Sequence, residues 1–306
     1  MDYDVIVVGC GPAGAAAAYF NAEAGRKVLL IEKAEFPRDK ICGDGVTGKS
    51  LGILYEMGLD AEIAGIKEIS CDSVLLSSPD ETLLTIPIAS PDDPLTAFCI
   101  ERLLFDNILY ERAVESVKAN GGTLLKEKVS GVVVESDVVT GVRVKDKTYS
   151  AKLVVGADGF NGPVSRHVMG ETQQPKQNRN HYSSAVREYW EGVEGSEGQI
   201  EIHFIKGILP GYFWIFPLSD KRFNIGVGML LADMDNQSIK LKEMLDWVVN
   251  ESFLAERFSD AKAIPNTRKG WMLPMGSPRG LSLNPRKNFV KGCVLVGDAA
   301  SLIDPF

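Results

Sequence analysis

The N-terminal residues carry the clearest chemical pattern in the chain. The string Gly9-Cys10-Gly11-Pro12-Ala13-Gly14 is a G-x-G-x-x-G that follows an apolar run, 4–8, and precedes an Ala-rich segment, 15–24. In a strand–turn–helix unit the first glycine makes the turn, the second lets the backbone approach a pyrophosphate, and the third allows close packing of helix on sheet. The N–H groups at the start of the helix point at the phosphates. These residues therefore predict a dinucleotide-binding loop.

A second buried strand and a terminal acid complete this pattern. The strand is predicted at 27–31, and Glu32 lies at its end, followed by Lys33, which we include among the cofactor-binding candidates. A carboxylate at this position accepts hydrogen bonds from a ribose diol and repels a 2′-phosphate. The sequence therefore favours FAD or NAD over NADP at this site.

Composition and charge narrow the classes of function. The 306 residues are 45% hydrophobic and 24% charged, which is typical of a soluble globular protein with one large domain or two interleaved domains. The net charge of -8, without a basic patch, argues against a nucleic-acid partner. The chain shows neither a secretory signal nor an apolar run of about eighteen residues, so we expect a cytoplasmic protein, with peripheral membrane association left open. The five cysteines and three histidines have no metal-ligand spacing, so we expect no metal and no redox disulfide.

Periodicity predicts the remaining elements. Strands are predicted as a pair within 71–88 and at 123–126, 129–135, 142–144, 152–155, 184–189, 199–205, 211–217, 222–230 and 293–297, and helices at 50–57, 101–119 and 241–253. A polar linker is expected at 171–181, and irregular structure at 265–285. The strands between 183 and 231 predict an antiparallel sheet.

Three further stretches belong with the nucleotide-binding loop. Arg102 starts a predicted helix, and Gly156-Ala157-Asp158-Gly159 and Gly297-Asp298-Ala299-Ala300 each follow a predicted strand. The last two stretches place a carboxylate and open backbone amides at the carboxyl edge of the sheet, where such folds bind ligands. Alternatively, Arg102 is a helix-surface charge and Asp158 caps a turn.

This set resembles the FAD-dependent oxidoreductases of the p-hydroxybenzoate hydroxylase superfamily. More narrowly, Phe36-Pro37-Arg38-Asp39-Lys40-Ile41-Cys42-Gly43-Asp44-Gly45 and Gly211-Tyr212-Phe213-Trp214-Ile215-Phe216-Pro217 are similar to motifs of the geranylgeranyl reductase family, which saturates isoprenoid double bonds. The resemblance covers essentially the whole chain. It implies an α/β fold in which a Rossmann-type FAD-binding domain with a parallel sheet (1–70, 98–175 and 286–306) is interleaved with an antiparallel-sheet substrate domain (71–97 and 176–285).

The C-terminal end departs from the family. The chain stops at Asp304-Pro305-Phe306, where the family continues into a Gly-rich turn and a helix that faces the flavin. We therefore expect this chain to be a fragment, truncated at its C-terminus.

The resemblance also implies roles for individual residues in cofactor binding. Ala13 and Gly14 would hold the pyrophosphate, Glu32 the adenosine ribose, Arg102 the ribose and phosphates, the Val129 backbone the adenine, and Asp298 the ribitol end. Cys42, Gly43 and Gly45 would lie beside the isoalloxazine. Cys42 is the catalytic candidate, as a cavity residue that orients substrate or manages protons; the alternative is a small buried residue in a tight loop.

A row of aromatic side chains is the substrate-binding candidate. Tyr212, Trp214 and Phe216 share a strand face, which on periodicity alone predicts sheet core. The resemblance instead implies that the row, together with Pro217, lines a lipid cavity. On the neighbouring predicted strand, Asn224 alternates with two glycines, Gly226 and Gly228, which would leave room for a long apolar ligand.

The implied reaction is the reduction of carbon–carbon double bonds in an isoprenoid: a geranylgeranyl-type lipid, a prenyl diphosphate or a prenylated quinone. Reduced FAD would deliver a hydride to one alkene carbon while a proton reaches the other. The external reductant stays open between NAD(P)H and ferredoxin, because the chain has no second G-x-G-x-x-G. The alternative is a flavin-dependent monooxygenase or halogenase on the same scaffold, although a halogenase would carry Trp-x-Trp-x-Ile-Pro in place of 212–217. A third possibility is a flavin-binding or lipid-carrier module without enzymatic activity.

Overall fold

The computed structural model describes residues 1–47, 49–65, 70–88, 97–170, 178–195, 198–276 and 286–303. Its strands, in chain order, are β1 Tyr3–Val8, β2 Val28–Ile31, β3 Gly45–Thr47, β4 Ser70–Cys71, β5 Ser73–Ser77, β6 Leu83–Pro87, β7 Ala97–Cys99, β8 Thr123–Leu125, β9 Val129–Glu135, β10 Val138–Val144, β11 Lys147–Gly156, β12 Tyr182–Glu191, β13 Gln199–His203, β14 Tyr212–Pro217, β15 Arg222–Leu230, β16 Lys262–Ala263, β17 Lys269–Pro274, β18 Phe289–Val290 and β19 Cys293–Leu295. The helices are α1 Pro12–Glu23, α2 Lys49–Glu56, α3 Asp60–Ala64, α4 Arg102–Ala119, α5 Pro163–Met169, α6 Leu231–Gln237 and α7 Leu241–Glu251. The chain forms two compact units. The first unit consists of residues 1–38, 103–182 and 273–306, and the second consists of residues 39–102 and 183–272.

The first unit is built on a largely parallel sheet. Its strand order is β18-β19-β11-β1-β2-β8, in which β19, β11, β1, β2 and β8 run parallel and β18 is antiparallel to β19. The strands β1 and β2 are short apolar runs without polar alternation, as expected for strands covered on both faces. Helix α1 packs on β1 and β2 through alanines, so its backbone lies close to the sheet. The antiparallel pairs β9–β10 and β10–β11 extend this unit.

The second unit is built on a mostly antiparallel sheet with the order β16-β12-β15-β14-β13-β5-β6, and the pair β5–β13 is parallel. One face of this sheet packs against α7, whose apolar residues fall at helical spacing. The core on this face includes Phe213, Ile215, Ile225, Leu245 and Val248. A smaller sheet, β3-β7-β4, belongs to the same unit. A mixed α/β chain with a largely parallel sheet in one unit and mostly antiparallel sheets in the other confirms the predicted fold class.

Several predicted boundaries differ from the structure. The segment 39–70 lies in the second unit and not in the first, because β3 pairs with β7 and β7 pairs with β4. The prediction of irregular structure at 265–285 is wrong for Lys269–Pro274, which forms β17 beside β12. Residues 277–285, most of the predicted linker (171–177) and the C-terminal Asp304-Pro305-Phe306 lie outside the described residues. None of the helices described here has the length and hydropathy that crossing a membrane requires.

Candidate functional site

The G-x-G-x-x-G loop has the geometry of a phosphate cradle. Gly9 has φ +96°, and a Cβ at this position would lie 2.3 Å from the carbonyl oxygen of Ala157. Helix α1 begins directly after Gly11, and no side chain caps its N-terminus. The N–H groups of its first turn are therefore available to an anion. This arrangement fits the pyrophosphate of FAD.

Glu32 fixes the end of β2 against this loop. Its carboxylate accepts hydrogen bonds from the backbone N–H of Cys10 and from that of Ala34, both at 2.7 Å. The side chain is 6% exposed, and each carboxylate oxygen has a further acceptor position. Burial, with a contribution from the Glu32 charge, raises the pKa of the Cys10 thiol, so this cysteine stays protonated. The expected contact between Glu32 and a ribose stays a prediction.

Arg38 is a candidate that the sequence reasoning missed. Its Nη2 lies 3.5 Å from the position that a Cβ on Gly11 would occupy, so the guanidinium lies beside the loop. Its Nη1 forms an ion pair at 3.1 Å with the fully buried carboxylate of Asp106 on α4. The guanidinium also covers the Phe36 ring, which stacks on Tyr110 at 4.2 Å. In the sequence, an acid, Asp106, falls within the predicted helix 101–119. An acid on the buried face of a helix needs a cationic partner, and this signal could have indicated the pair with Arg38.

Asp158 has the role of a helix cap. Its Oδ2 accepts a hydrogen bond from Val164 N at 2.8 Å and its Oδ1 one from Ser165 N at 3.3 Å, in the first turn of α5. Burial raises the pKa of this carboxyl to about 6. The structure thus places Asp158 in the alternative role left open by the sequence, and a contact with the cofactor stays a prediction.

Four further predicted cofactor-binding residues belong to the first unit: Gly297, Asp298, Val129 and Lys33. Gly297, with φ +58°, begins a single helical turn that also contains Asp298, and a Cβ on Gly297 would lie 2.7 Å from Ala13 Cβ. This turn therefore lies against the phosphate loop. Val129 is buried at the start of β9, and Lys33 is exposed after β2.

The second unit contains the Cys42 loop, which we define as residues 39–45. Ion pairs of Asp39 hold the start of this loop. One nitrogen of the Arg187 guanidinium, Nη2, lies 2.8 Å from both carboxylate oxygens of Asp39, and Lys269 Nζ lies 2.7 Å from Oδ2. Although burial raises it, these two cations hold the pKa of Asp39 below its usual value. Arg187 is almost fully buried and lies over the Tyr189 ring at 4.0 Å. The loop is thereby fastened to β12.

Asp44 holds the other end of the Cys42 loop. Its Oδ2 accepts hydrogen bonds from Tyr189 OH at 2.9 Å and from Asn224 Nδ2 at 2.8 Å. Its Oδ1 accepts one at 3.3 Å from the backbone N–H of Arg102, a predicted cofactor-binding residue. Asp44 is 1% exposed, and burial raises its pKa to about 6. Sequence reasoning passed over Asp44 because it took the loop as a flavin-facing backbone.

Asn224 connects this loop to the aromatic row. Its Nδ2 donates to the Cys42 carbonyl oxygen at 2.7 Å as well as to Asp44, and its Oδ1 accepts from Trp214 Nε1 at 2.9 Å. Cys42 is half-buried, whereas the other four cysteines of the chain are buried. One buried amide thus joins the catalytic candidate to a substrate-binding candidate.

The structure places the predicted aromatic row on one face of β14. Ring centroids are 6.1 Å apart for Tyr212 and Trp214 and 6.4 Å apart for Trp214 and Phe216, and Pro217 ends the strand. A Cβ on Gly226 would lie 2.1 Å from Trp214 Cζ2. The prediction that Gly226 leaves room for a ligand is therefore wrong, because the indole occupies that space.

The Phe216 ring lies over the Cys42 loop. A Cβ on Gly43 would lie 2.9 Å from Phe216 Cε2, and one on Gly45 would lie 3.2 Å from the same atom. The loop and the row are thus in direct contact.

A Ser–His–Glu cluster lies elsewhere in this sheet. His203 is 3.1 Å from Ser77 Oγ through Nδ1 and 2.8 Å from Glu201 Oε2 through Nε2. All three side chains are fully buried, so no substrate reaches the serine. Among the residues that the structure describes, no group of three histidine, cysteine or acidic side chains is placed to hold a metal ion.

Two family models match the chain. The FAD binding domain matches residues 2–190, and the geranylgeranyl reductase catalytic domain matches residues 181–267. The first contains the phosphate loop and Glu32, and the second contains the aromatic row and Asn224. These matches confirm two expectations from the sequence, a FAD-binding domain and the resemblance to the geranylgeranyl reductase family, and the substrate role of the second sheet stays a prediction.

Known proteins are similar over nearly the whole chain. A menaquinone reductase from Mycolicibacterium smegmatis is 32% identical, covering 99% of this chain and 71% of the relative. A digeranylgeranylglycerophospholipid reductase from Methanosarcina acetivorans is 31% identical, over 99% of this chain and 70% of the relative. A solved geranylgeranyl bacteriochlorophyll reductase-like protein from Thermoplasma acidophilum superposes with a TM-score of 0.80 at 26% identity, over 99% of this chain and 72% of its own. Flavin-dependent halogenases share the fold at 23% identity or less.

Proposed function

We propose that this chain, which belongs to the geranylgeranyl reductase family of FAD-dependent oxidoreductases, saturates carbon–carbon double bonds in the prenyl chain of an isoprenoid lipid. Both named relatives are reductases, one of menaquinone and one of a digeranylgeranyl phospholipid. The two compounds in these names, a menaquinone and a digeranylgeranyl phospholipid, both carry long prenyl chains. We therefore propose the prenyl chain as the recognised part of the substrate.

The phosphate cradle would hold the cofactor. The α1 N-terminus and Gly11 would receive the pyrophosphate, Glu32 the ribose, and Arg38 would add a cation beside the phosphates. When bound and reduced, FAD supplies the electrons that the double bond takes up. The protein's own contribution is binding, orientation and the exclusion of water.

The Cys42 loop and the aromatic row carry the substrate side of the proposal. Trp214 is buried and hydrogen-bonded, so its indole has one orientation, and Tyr212 and Phe216 flank it with half-buried rings. Such rings offer apolar area to a prenyl chain at low entropic cost. Cys42, half-buried in a loop fixed at both ends, would orient the chain or supply a proton. The single observation that supports this best is the Asn224 amide, which joins Cys42 to Trp214.

Because the proposed substrate is a lipid, we also propose that the protein associates peripherally with a membrane. The edge strand β6 exposes Leu84 and Ile86, which share one strand face, by 58% and 41%, and Leu83 on the other face by 57%. Exposed apolar side chains grouped in this way are typical of interaction surfaces. Flotation with phosphatidylcholine vesicles should carry the wild-type protein upward and leave a Leu84→Glu variant behind. Equal flotation of both proteins would remove this part of the proposal.

The alternative class is a monooxygenase or halogenase, which the shared fold leaves open. A reductase needs no oxygen, whereas an oxygenase or halogenase does. We therefore propose mixing the dithionite-reduced full chain, without oxygen, with geranylgeranyl diphosphate, a menaquinone or a phenol. Flavin reoxidation by geranylgeranyl diphosphate but not by the phenol supports the reductase; with the menaquinone, whose quinone ring can itself take up the electrons, support requires two added hydrogen atoms in the prenyl chain by mass spectrometry. Turnover that appears only after oxygen is admitted supports the alternative, and no reoxidation by any alkene supports a carrier.

A further inference from the structure

The Asn224 side chain uses both of its donor hydrogens and its acceptor oxygen inside the protein. It is fully buried on β15, donates one N–H to the Cys42 carbonyl and the other to Asp44, and accepts from the Trp214 indole. An asparagine amide has two donor hydrogens and one acceptor oxygen. The aliphatic side chains can make none of these bonds, and an aspartate can only accept them. This position therefore requires an amide if loop and indole are to be held together.

The register of the sheet explains why one residue reaches both partners. Asn224 lies opposite Phe216 on β14 and opposite Tyr189 on β12. Its side chain shares a sheet face with Tyr189, whose hydroxyl donates to the same Asp44 oxygen. Two donors from two strands thus converge on a single carboxylate oxygen.

The convergence makes the arrangement depend on the charge of Asp44. An ionised carboxylate accepts both bonds strongly, and a neutral carboxyl accepts them weakly while adding a proton of its own. The charged and titratable groups that the structure shows acting on or with Asp44 are Arg187 and Tyr189 from β12 and Cys99 from β7. Arg187 favours the ionised form, and burial opposes it.

Two further acids lie near this network. Glu101 interacts electrostatically with Tyr189 and forms an ion pair with Arg222 at 2.5 Å. Asp39, at the other end of the Cys42 loop, pairs with Arg187 and Lys269, and although burial raises its pKa, these cations hold that pKa below its usual value. Asp39 therefore stays ionised between about pH 5.5 and about pH 8, and Asp44 is the acid of the loop whose charge changes in this range.

We propose that Asn224 is a positioning residue that locks the Cys42 loop and the Trp214 indole into one arrangement for as long as Asp44 is ionised. The importance of this lock for catalysis rests on the proposed function, in which Cys42 and Trp214 orient the prenyl chain. The lock itself is a property of the second unit alone.

The variant Asn224→Asp tests the lock with almost no change of shape. The new carboxylate still accepts from Trp214, but it cannot donate to Cys42, and it faces Asp44 at the 2.8 Å of the present hydrogen bond. At about pH 8 both acids are ionised and repel each other; at about pH 5.5 they share a proton, which restores one bond between them. A side chain that only fills space would show no such dependence on pH.

The readout is the alkylation of Cys42 by iodoacetamide, located by peptide mass spectrometry and expressed as the ratio of variant to wild-type rate at each pH. We expect a ratio of about 10 at about pH 8 that falls towards about 2 at about pH 5.5. The control Asn250→Asp makes the same change on the exposed side of α7 and should give a ratio near one at both pH values. A ratio near one for Asn224→Asp at the higher pH, or the same raised ratio at both, overturns the proposal.

A second variant covers the case in which Asn224→Asp does not fold. Trp214→Phe keeps an aromatic ring, removes the Nε1 donor to Asn224 and leaves the side chain smaller by one ring. It should raise the alkylation rate of Cys42 severalfold, and an unchanged rate overturns the lock.

Turnover then links the lock to catalysis. In Asn224→Asp, kcat with the prenyl substrate should fall by roughly tenfold to a hundredfold at about pH 8 with a smaller change in KM, because misplacement of a positioned group acts mainly on the chemical step. A wild-type protein that reduces no prenyl compound would defeat the proposed function, while the alkylation ratios still decide the lock.

Discussion

Replacing Asp44 by asparagine should change how stability depends on pH. Burial raises the pKa of this carboxyl from 3.8 to about 6, against three hydrogen-bond donors that favour the ionised form. Because the folded-state pKa lies above the unfolded value, the protein is stabilised by the neutral acid below about pH 4. That contribution is lost as the pH rises through about 6. Asp44→Asn is neutral throughout and has no such loss.

The size of the effect follows from the two pKa values. Raising a pKa from 3.8 to about 6 corresponds to roughly 3 kcal/mol, since each tenfold change in proton affinity is worth about 1.36 kcal/mol. Of this, roughly 2 kcal/mol falls between about pH 4.5 and about pH 7.5. Asp44 is almost fully buried, so solvent screening does not reduce the figure.

Urea unfolding of both proteins at a series of pH values measures this difference. We expect the unfolding free energy of the wild type to fall by roughly 2 kcal/mol relative to Asp44→Asn as the pH rises from about 4.5 to about 7.5. Every other titrating group, including the buried Asp158, is common to both proteins and cancels in the comparison. A difference that stays constant with pH, or that changes with the opposite sign, would refute the argument from burial.

The other predictions concern the cofactor and the aromatic row. Glu32→Ala should weaken FAD binding by roughly 1–3 kcal/mol through lost charge-assisted bonds to the ribose, and the cofactor released on denaturation should be FAD; finding FMN would contradict this. Arg38→Met should lower FAD affinity by about tenfold in a flavin-fluorescence titration, while the exposed control Arg26→Met should leave it unchanged. Trp214→Ala should cost about 3–5 kcal/mol of stability, because the indole fills the space over Gly226. It should also slow single-turnover flavin reoxidation per folded molecule, and an unchanged rate would make the row sheet core alone.

The local patterns of the first unit could be predicted because they are short-range. A buried run, a glycine turn and a helix follow one another within Tyr3–Glu23, and the structure has β1 and α1 at those positions. The period-two alternation of 212–217 likewise predicted which aromatic side chains share a face. In both cases the interaction partners lie within a few residues.

The hydrogen-bond network of the second unit could not be predicted, because it is long-range. Asp44 and Asn224 are 180 residues apart, and Asp44 and Tyr189 are 145 apart. In the sequence each is an ordinary polar residue, and only the strand register brings them together. The short strands β3 and β7 were missed for a related reason, since three residues are too few to show alternation. Their pairing is what moves 39–70 into the second unit.

The room predicted beside Gly226 shows where pattern reasoning overreached. Glycines at alternate positions predict space on one face of a strand, but not what fills it. Here the neighbouring strand contributes the largest side chain available, and the indole of Trp214 lies on Gly226.

The central claim, that this protein saturates prenyl double bonds, is tested most directly by the mass of the product. The full chain, loaded with FAD and reduced by dithionite under anaerobic conditions, is mixed with a menaquinone or geranylgeranyl diphosphate in deuterated water, and the lipid is analysed by mass spectrometry. The proposal predicts a prenyl chain that has gained two deuterium atoms per reduced double bond, because the hydrogen on the reduced flavin and the proton both come from the deuterated solvent, with one FAD reoxidised for each. Unchanged lipid beside flavin that stays reduced, or a product that gains an oxygen or a halogen atom once oxygen and halide are supplied, would contradict it.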